Sequence, residues 1–303
     1  MMSPIQLTDA QIEQFRQDGF LVFEKLIDAA LVARLVDRID PLFAGQFETG
    51  IYPDEWYWRP GLSLLDVTRE MCNVWKCDRR MASVVLSAEI GRISALLGGW
   101  RGARIGQDSL WFKPPGGKEV ALHQDATYIS YIDPPEMVTC WLALDDTSAN
   151  AGTIEYVRGS HRWGLVTEIG EFHAPAQDYR STMRQAAQQA GIEAPEIVQV
   201  EIPAGGCVFH HGWMWHGSGK NTCSDKVRRS IGIHTLSADA QFCSTNVGYI
   251  YGRYKRIGET TMDESFFPIL WTQDGYRTPF LSDYCQDALV DANMDTSRET
   301  VSV

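Results

Sequence analysis

The spacing of apolar residues changes character near Trp100. Before that point it follows a helical period. In "LTDAQIEQFRQDGFLVFE", Thr8 or Asp9 is placed to cap a helix that Gly19 ends, and the short strand "FLVFE" follows. "DAALVARLVDRIDPLFAG" repeats apolar residues at helical spacing to about Gly45, and "DRRMASVVLSAEIGRISALLGGW" reads as one or two further helices. After Trp100 the runs shorten and become rich in β-branched and aromatic residues. They are "RIGQDSLWFKPP", "VALHQDATYI", "MVTCWLALDD", "GTIEYVRGSH", "IVQVEIPAGGCVFHHG", "WMWHGSG" and "RRSIGIHTLSA", separated by Gly, Pro, Asn or Ser clusters. Such spacing predicts an antiparallel sandwich or jelly roll. A helical stretch, "STMRQAAQQAG", interrupts it within an insert at about 167–194. From "DESFFPILW" onward the periodicity fades, and "MDTSRETVSV" reads as a disordered tail.

The expected architecture is one α+β domain over 1–290, with a mainly helical front layer (1–100), a jelly-roll core (101–240), a C-terminal extension (241–290) and the tail 291–303. Composition adds exclusions. The formal net charge of -12, from 27 Lys+Arg against 39 Asp+Glu, disfavours nucleic acid and anionic membrane surfaces as partners. The 7 cysteines are scattered without a CxxC pair, which suggests neither a disulfide framework nor a zinc knuckle. The first residues carry no apolar leader and the apolar runs look too short to span a bilayer, so the cytoplasm is the expected compartment.

Candidate chemistry begins in "ALHQDATYIS". In an extended chain residues i and i+2 share a face, so His123 and Asp125 project together with Gln124 opposite. An HxD pair alone arises readily by chance in a chain with 7 histidines. A second histidine from a neighbouring strand would complete a two-histidine, one-carboxylate face that leaves coordination positions open. His161, His173, His210, His211, His216 and His234 are the candidates. His216 is favoured because it ends the aromatic run "WMWH" and precedes a glycine-rich turn, at the mouth of the fold where ligand sites form; His211 is the alternative. "SDKVRRSIGIHTL" opens a strand with Arg228 and Arg229, of which only one can face inward. An inward arginine needs an anion, and its fork matches a carboxylate.

"HQD", "WHGSGKN" and "RRS" together resemble the phytanoyl-CoA dioxygenase family of Fe(II)- and 2-oxoglutarate-dependent oxygenases. So do "QLTDAQIEQFRQDGFLVFEKLI", "LWFKPPG" and "CWLALDDTSANAGTIEYVRGSHRWG", extending the resemblance over about residues 7–240. It implies a double-stranded β-helix (jelly roll, cupin-like) core behind the helical layer. It also implies His123, Asp125 and His216 as iron ligands, with Arg228 holding the distal carboxylate of 2-oxoglutarate. Ser218 and Trp141 match positions lining the co-substrate pocket, and Gln124 one beside it. Asn73 or Lys76 falls where some relatives place a lysine for a co-substrate carboxylate. His161 falls in a structural corner, and His211 matches a histidine beside the metal. The implied reaction consumes O2, releases succinate and CO2, and hydroxylates an aliphatic C–H of a small molecule. Asp125 stands where halogenating relatives carry a small residue, which argues against halogenation. Desaturation or ring chemistry can use the same triad.

Three other classes compete: a cupin-like protein with another metal cluster, a non-catalytic jelly-roll binding protein, and a zinc hydrolase, which would leave Arg228 without a role. For substrate contacts, "GIYPDEWYWRPGLSL" offers Trp56, Trp58 and Arg59, although packing of its aromatics against the helices is the commoner explanation. "DATYISYIDPPEM" offers Thr127, Tyr128 and Tyr131. Arg59, Lys76, Arg79 and Arg80 could meet an anionic substrate, with surface charge the commoner reading.

Overall fold

The computed structural model describes residues 2, 4–167, 170–248 and 250–285; the tail 291–303 lies outside them. Helix α1 (Asp9–Asp18) starts with a capping box. Thr8 Oγ accepts from the backbone N–H of Gln11, and the Gln11 side chain accepts from the Thr8 N–H. It ends at Gly19, whose φ of +84° suits glycine, and a side chain there would strike His161 and Met214. Strand β1 (Phe20–Phe23) leads to α2 (Ala29–Phe43), N-capped by Asp28, which buries Leu31, Val32, Leu35, Ile39, Leu42 and Phe43 along one face. Each such side chain contributes about 1.5–3 kcal/mol relative to leaving it exposed. Strands β2 (Glu55–Trp56) and β3 (Arg69–Cys72) follow, then helices α3 (Arg79–Val85) and α4 (Ala88–Gly98). By composition alone the stretch Arg79–Gly98 could cross a membrane, contrary to the expectation that no run is long enough. It is two helices, broken at the Ser87 cap, that pack in the core with 61% of the window buried.

Twelve-residue β4 (Gly102–Lys113) opens the β-core. It continues with β5 (Val120–His123), β6 (Ile132–Asp133), β7 (Val138–Ala143) and β8 (Ile154–Val157). After the insert helix α5 (Ser181–Gln189) come β9 (Ile197–Gln199), β10 (Cys207–His211), β11 (His216–Ser218) and β12 (Arg228–Ser237). The C-terminal extension adds β13 (Gln241–Phe242), β14 (Ile269–Thr272) and α6 (Leu281–Tyr284). The fading pattern beyond residue 264 therefore conceals a strand, and β14 pairs antiparallel with β4.

The major sheet runs β1-β10-β7-β12-β4-β3-β2 with β14 against β4; the minor sheet runs β5-β11-β8-β9. All their pairings are antiparallel. This is the expected jelly roll, widened by three strands from the front layer. The helices pack on one face of the major sheet, where Leu110, Leu142, Cys140, Phe209, Ile231 and Ile233 join Leu35, Val85 and Ile93 in the main hydrophobic cluster. Alternation along each strand then turns the intervening residues towards the minor sheet. Three cross-strand rows result: Glu55–Cys72–Ser109–Gly232–Trp141, Gln107–His234–Thr139–His210 and Lys113–Arg228. Polar side chains cover much of this inner face, which is unusual for the inside of a sandwich and marks it as the place for chemistry.

Candidate metal centre and anion pocket

Strand β5 ends at His123, and Asp125 begins a single 3-10 turn, Asp125–Ile129, so the carboxylate is not itself on a strand. Gln124 between them keeps extended dihedrals (φ -118°, ψ 123°), which is why the two side chains still converge. His216 on β11 pairs in register with His123. The Nε2 atoms of His123 and His216 each lie 3.3 Å from Asp125 Oδ1, and among the described residues these three are the one grouping of metal donors. Both histidines have their tautomer set by the backbone. Nδ1–H of His123 donates to the Ala121 carbonyl and Nδ1–H of His216 to the Met214 carbonyl, each at 2.9 Å. Each Nε2 is left free for a ligand.

The other carboxylate oxygen is held by neighbouring strands. Thr139 donates its hydroxyl to Asp125 Oδ2 at 2.7 Å, His210 Nε2 lies 3.0 Å away, and His234 Nδ1 lies 3.3 Å away. Tyr156 OH supports His210 Nδ1 at 3.0 Å, and His234 Nδ1 supports Thr139 at 2.9 Å. Burial alone would raise the Asp125 carboxyl; the nearby His216 and His234, with the hydrogen bond from His210, hold it well below the carboxylate range. Burial pushes His210 down to about 3, so it stays neutral and donates through Nε2.

A cavity of about 810 Å³ opens on this group. At one end Arg228, 3% exposed, bonds Gly152 O (3.2 Å), Ser230 Oγ (2.9 Å) and Ser218 Oγ (3.4 Å), with its guanidinium 5.9 Å from the Trp141 ring centre. Its cross-strand neighbour Lys113 is fully buried and donates to Ser218 Oγ (2.7 Å) and Gly219 O (2.6 Å). Neither cation has a carboxylate partner among the described residues; Asp145, the acid that acts on Arg228 from a distance, is taken by Arg229. Burial lowers Arg228 to about 10, and burial together with the Arg228 charge holds Lys113 well below the amine range. Ser218 Oγ accepts from both, so its own proton is free to point elsewhere. Two buried cations and a spare hydroxyl donor without an anion form a receptor for one.

A family model described as Phytanoyl-CoA dioxygenase (PhyH) matches residues 15–230. The chain belongs to the phytanoyl-CoA dioxygenase family. It is 24% identical over 271 residues to an Arabidopsis thaliana phytanoyl-CoA dioxygenase, covering 77% of this chain and 90% of that one. A probable alpha-ketoglutarate-dependent hypophosphite dioxygenase of Stutzerimonas stutzeri is 31% identical over 142 residues, 45% of this chain and 46% of its own. Among solved structures, the non-heme alpha ketoglutarate dependent epimerase SnoN superposes with TM-score 0.66 at 20% identity, covering 86% of this chain and 97% of its own. The carbocyclase SnoK gives 0.66 at 22% identity, covering 87% and 96%. Family membership brings iron and 2-oxoglutarate as metal and co-substrate, and the donor set fits both. Two imidazoles and one carboxylate suit Fe(II) with positions left open, and the unpaired Arg228, Lys113 and Ser218 suit a dicarboxylate.

The structure gathers His123, Asp125, His216, Arg228, Ser218, Trp141, Tyr128, Tyr131 and Trp58 around this cavity. It places others elsewhere. Gln124 is buried on the far side, donating to the carbonyls of Gly164 and Trp213 and accepting from Val166 N–H, so it ties loops together and does not border the co-substrate. Asn73 holds a left-handed turn (φ +61°) and bonds Asp54 and Tyr251, while Lys76 is paired with Asp54. Both are therefore engaged away from Arg228. Thr127 bonds Val166 O, and Arg59 stacks on Trp56, which packs against the main core. The histidine beside the metal group is His210; His211 turns to the opposite face, where its Nδ1 accepts from Trp213 N–H. His161 receives no metal-facing position and contacts Arg16 O. Sequence reasoning missed Lys113 and Thr139, and offered His234 only as one of six candidate ligands, whereas it supports Asp125 and Thr139. The lysine of "FKPPG" carried a signal, since a lysine two residues from Trp111 in an inward-facing strand is a costly choice without an anion.

Proposed function

We propose that this protein uses Fe(II), 2-oxoglutarate and O2 to hydroxylate an aliphatic C–H of a small molecule, releasing succinate and CO2. The observation that carries the reading is one cavity lined by a His/Asp/His donor group and by the buried Arg228, which lacks an anion, with Lys113 behind it on Ser218 Oγ. In this reading His123, Asp125 and His216 ligate iron, and Arg228, Ser218 and Lys113 receive the distal carboxylate. Bound iron with its co-substrate supplies the oxidising power. The chain supplies placement. Thr139, His210 and His234 fix Oδ2 of Asp125 so that Oδ1 faces the metal, and the backbone carbonyls of Ala121 and Met214 keep both imidazoles in the ligating tautomer. Trp141 and Ile154 wall the cavity beside Arg228 and exclude water from the carboxylate contact, strengthening it.

The test is anaerobic addition of Fe(II) and then 2-oxoglutarate to metal-free protein, read as a visible charge-transfer band, beside Arg228→Ala. A band that needs both additions and requires a much higher co-substrate concentration in the variant is the expected result. Absence of the band in wild-type protein with bound iron refutes the proposal.

A further inference from the structure

The side of the cavity formed by β2 and β3 has its own chemistry. Glu55 on β2 and Glu70 on β3 both turn inward, because alternation sends their neighbours Trp56 and Arg69 to the helix-covered face. Arg69 also borders the cavity, but its guanidinium lies flat against aromatic rings, 3.8 Å from Trp58 and 4.4 Å from Phe112, and it pairs with neither glutamate. Cys72 Sγ sits between the carboxylates, 3.7 Å from an oxygen of each, and its single proton serves only one of them at a time. Tyr57 OH donates to Glu55 at 2.8 Å. Among the described residues no lysine or arginine lies within ion-pair distance of either acid. Glu70 meets the imidazole of His173 at 3.2 Å, and the exposed Arg253 acts on Glu55 only from a distance. Burial, and with it the charge of Glu70, raises the Glu55 carboxyl despite the Tyr57 hydrogen bond.

The walls beside these acids are aromatic. Trp58, Trp111, Tyr128 and Phe172 line the same cavity, and Phe172 packs 4.6 Å from His123, 5.6 Å from Tyr128 and 6.0 Å from Trp111, which links the acidic side to the metal group. Aromatic faces and uncompensated carboxylates both favour positive charge. The acids do not assemble into a second group of metal donors among the described residues. The four residues offered for an anionic substrate, Arg59, Lys76, Arg79 and Arg80, are not part of the cavity lining.

We infer that the substrate is an organic cation, an ammonium group carried on a small body, bound between Glu55, Glu70 and the aromatic wall. This deepens the oxygenase reading and rests on it for the reaction, but not for the binding. Glu55 and Glu70 hold the ammonium, and the aromatic faces select an alkylated or otherwise weakly hydrated cation over an inorganic one. A neutral molecule of the same shape leaves the two carboxylates uncompensated, and an anion is repelled by them.

Three near-isosteric probes separate these cases: choline, neutral 3,3-dimethylbutan-1-ol and anionic 3,3-dimethylbutanoate, each titrated by calorimetry and tryptophan quenching. The expected result is that choline binds at least about tenfold more tightly than either carbon analogue, and that Glu55→Gln with Glu70→Gln removes the preference. The single substitutions, each expected to remove part of it, serve if the double variant is unstable. 2-Oxoglutarate affinity, measured separately on the same preparations, is expected to stay unchanged in these variants. No saturable choline binding, equal binding of the neutral analogue, or a preference that survives the substitutions overturns the inference. A failure of the oxygenase reading instead appears as lost 2-oxoglutarate binding with the choline preference intact.

Discussion

Thr139→Val isolates what holds the carboxylate ligand in place. Thr139 is 1% exposed, and valine fills nearly the same volume, so the substitution removes a hydroxyl without opening a cavity. Asp125 Oδ2 has three neighbours able to donate, at 2.7, 3.0 and 3.3 Å, and the shortest is Thr139. Thr139 has one proton and the ionised carboxylate only accepts, so that proton goes to Asp125, while His234 Nδ1 donates back to Thr139. A hydrogen bond to a buried charge contributes about 1.5–3 kcal/mol, and losing such support for a metal ligand weakens metal binding roughly 10- to 100-fold. His210 and His234 remain, which places the expected loss at the lower end. The assay is anaerobic competition for Fe(II) against a fluorescent chelator, with Thr139→Ser as the rescue because it restores the hydroxyl. Metal affinity within about twofold of wild type in the valine variant, or no recovery in the serine variant, refutes the idea that this hydroxyl positions Asp125.

Lys113→Met removes the donor that shares Ser218 Oγ with Arg228 and orients that hydroxyl; support of this kind for a charged ligand contributes about 1.5–3 kcal/mol, and 2-oxoglutarate affinity measured by titration should fall roughly tenfold to a hundredfold. Gln124→Leu strands three backbone groups and should lower the urea midpoint by the equivalent of about 3 kcal/mol while leaving 2-oxoglutarate affinity unchanged. For acid stability the sign follows from burial. His210 (about 3) and His211 (about 4) resist protonation when folded but titrate near 6.5 when unfolded, so the unfolded chain takes up two extra protons as pH falls below 6.5. These two histidines together should cost the metal-free protein about 2.7 kcal/mol per pH unit around pH 5, partly offset by Asp108, which burial raises to about 7, and His211→Gln should remove about half of their contribution in urea titrations. His216, raised above its ordinary value, contributes its stability in full below 6.5 and does not alter that slope.

Much of the fold and part of the site could be read from the chain alone. Helix α1 announces itself through Thr8, Gln11 and Gly19, because caps are made by residues three or four apart. His123 and Asp125 face one way because a single extended residue separates them, a relation that survives even though β5 stops between them. Arg228 is conspicuous because a charge entering a sandwich needs a partner. What these share is short range: each depends on dihedrals over a few residues.

The remaining assignments depended on parity and register. His210 and His211 are adjacent, so one must face the metal group and the other away; pairing of His210 with Thr139 decides it, 71 residues away in sequence. The same kind of distant pairing sets Lys113 beside Arg228 and leaves Lys76 bound to Asp54. It also brings Glu55, Glu70 and Cys72 onto the inner face, where no local pattern in "PDEWYW" or "TREMCN" separates them from surface residues. Local sequence determined which segments are helix or strand and which residues carry chemistry worth testing. Only the tertiary structure decided which of those residues meet, because strand register is settled by long-range pairing and a shift of one residue sends every side chain to the opposite face.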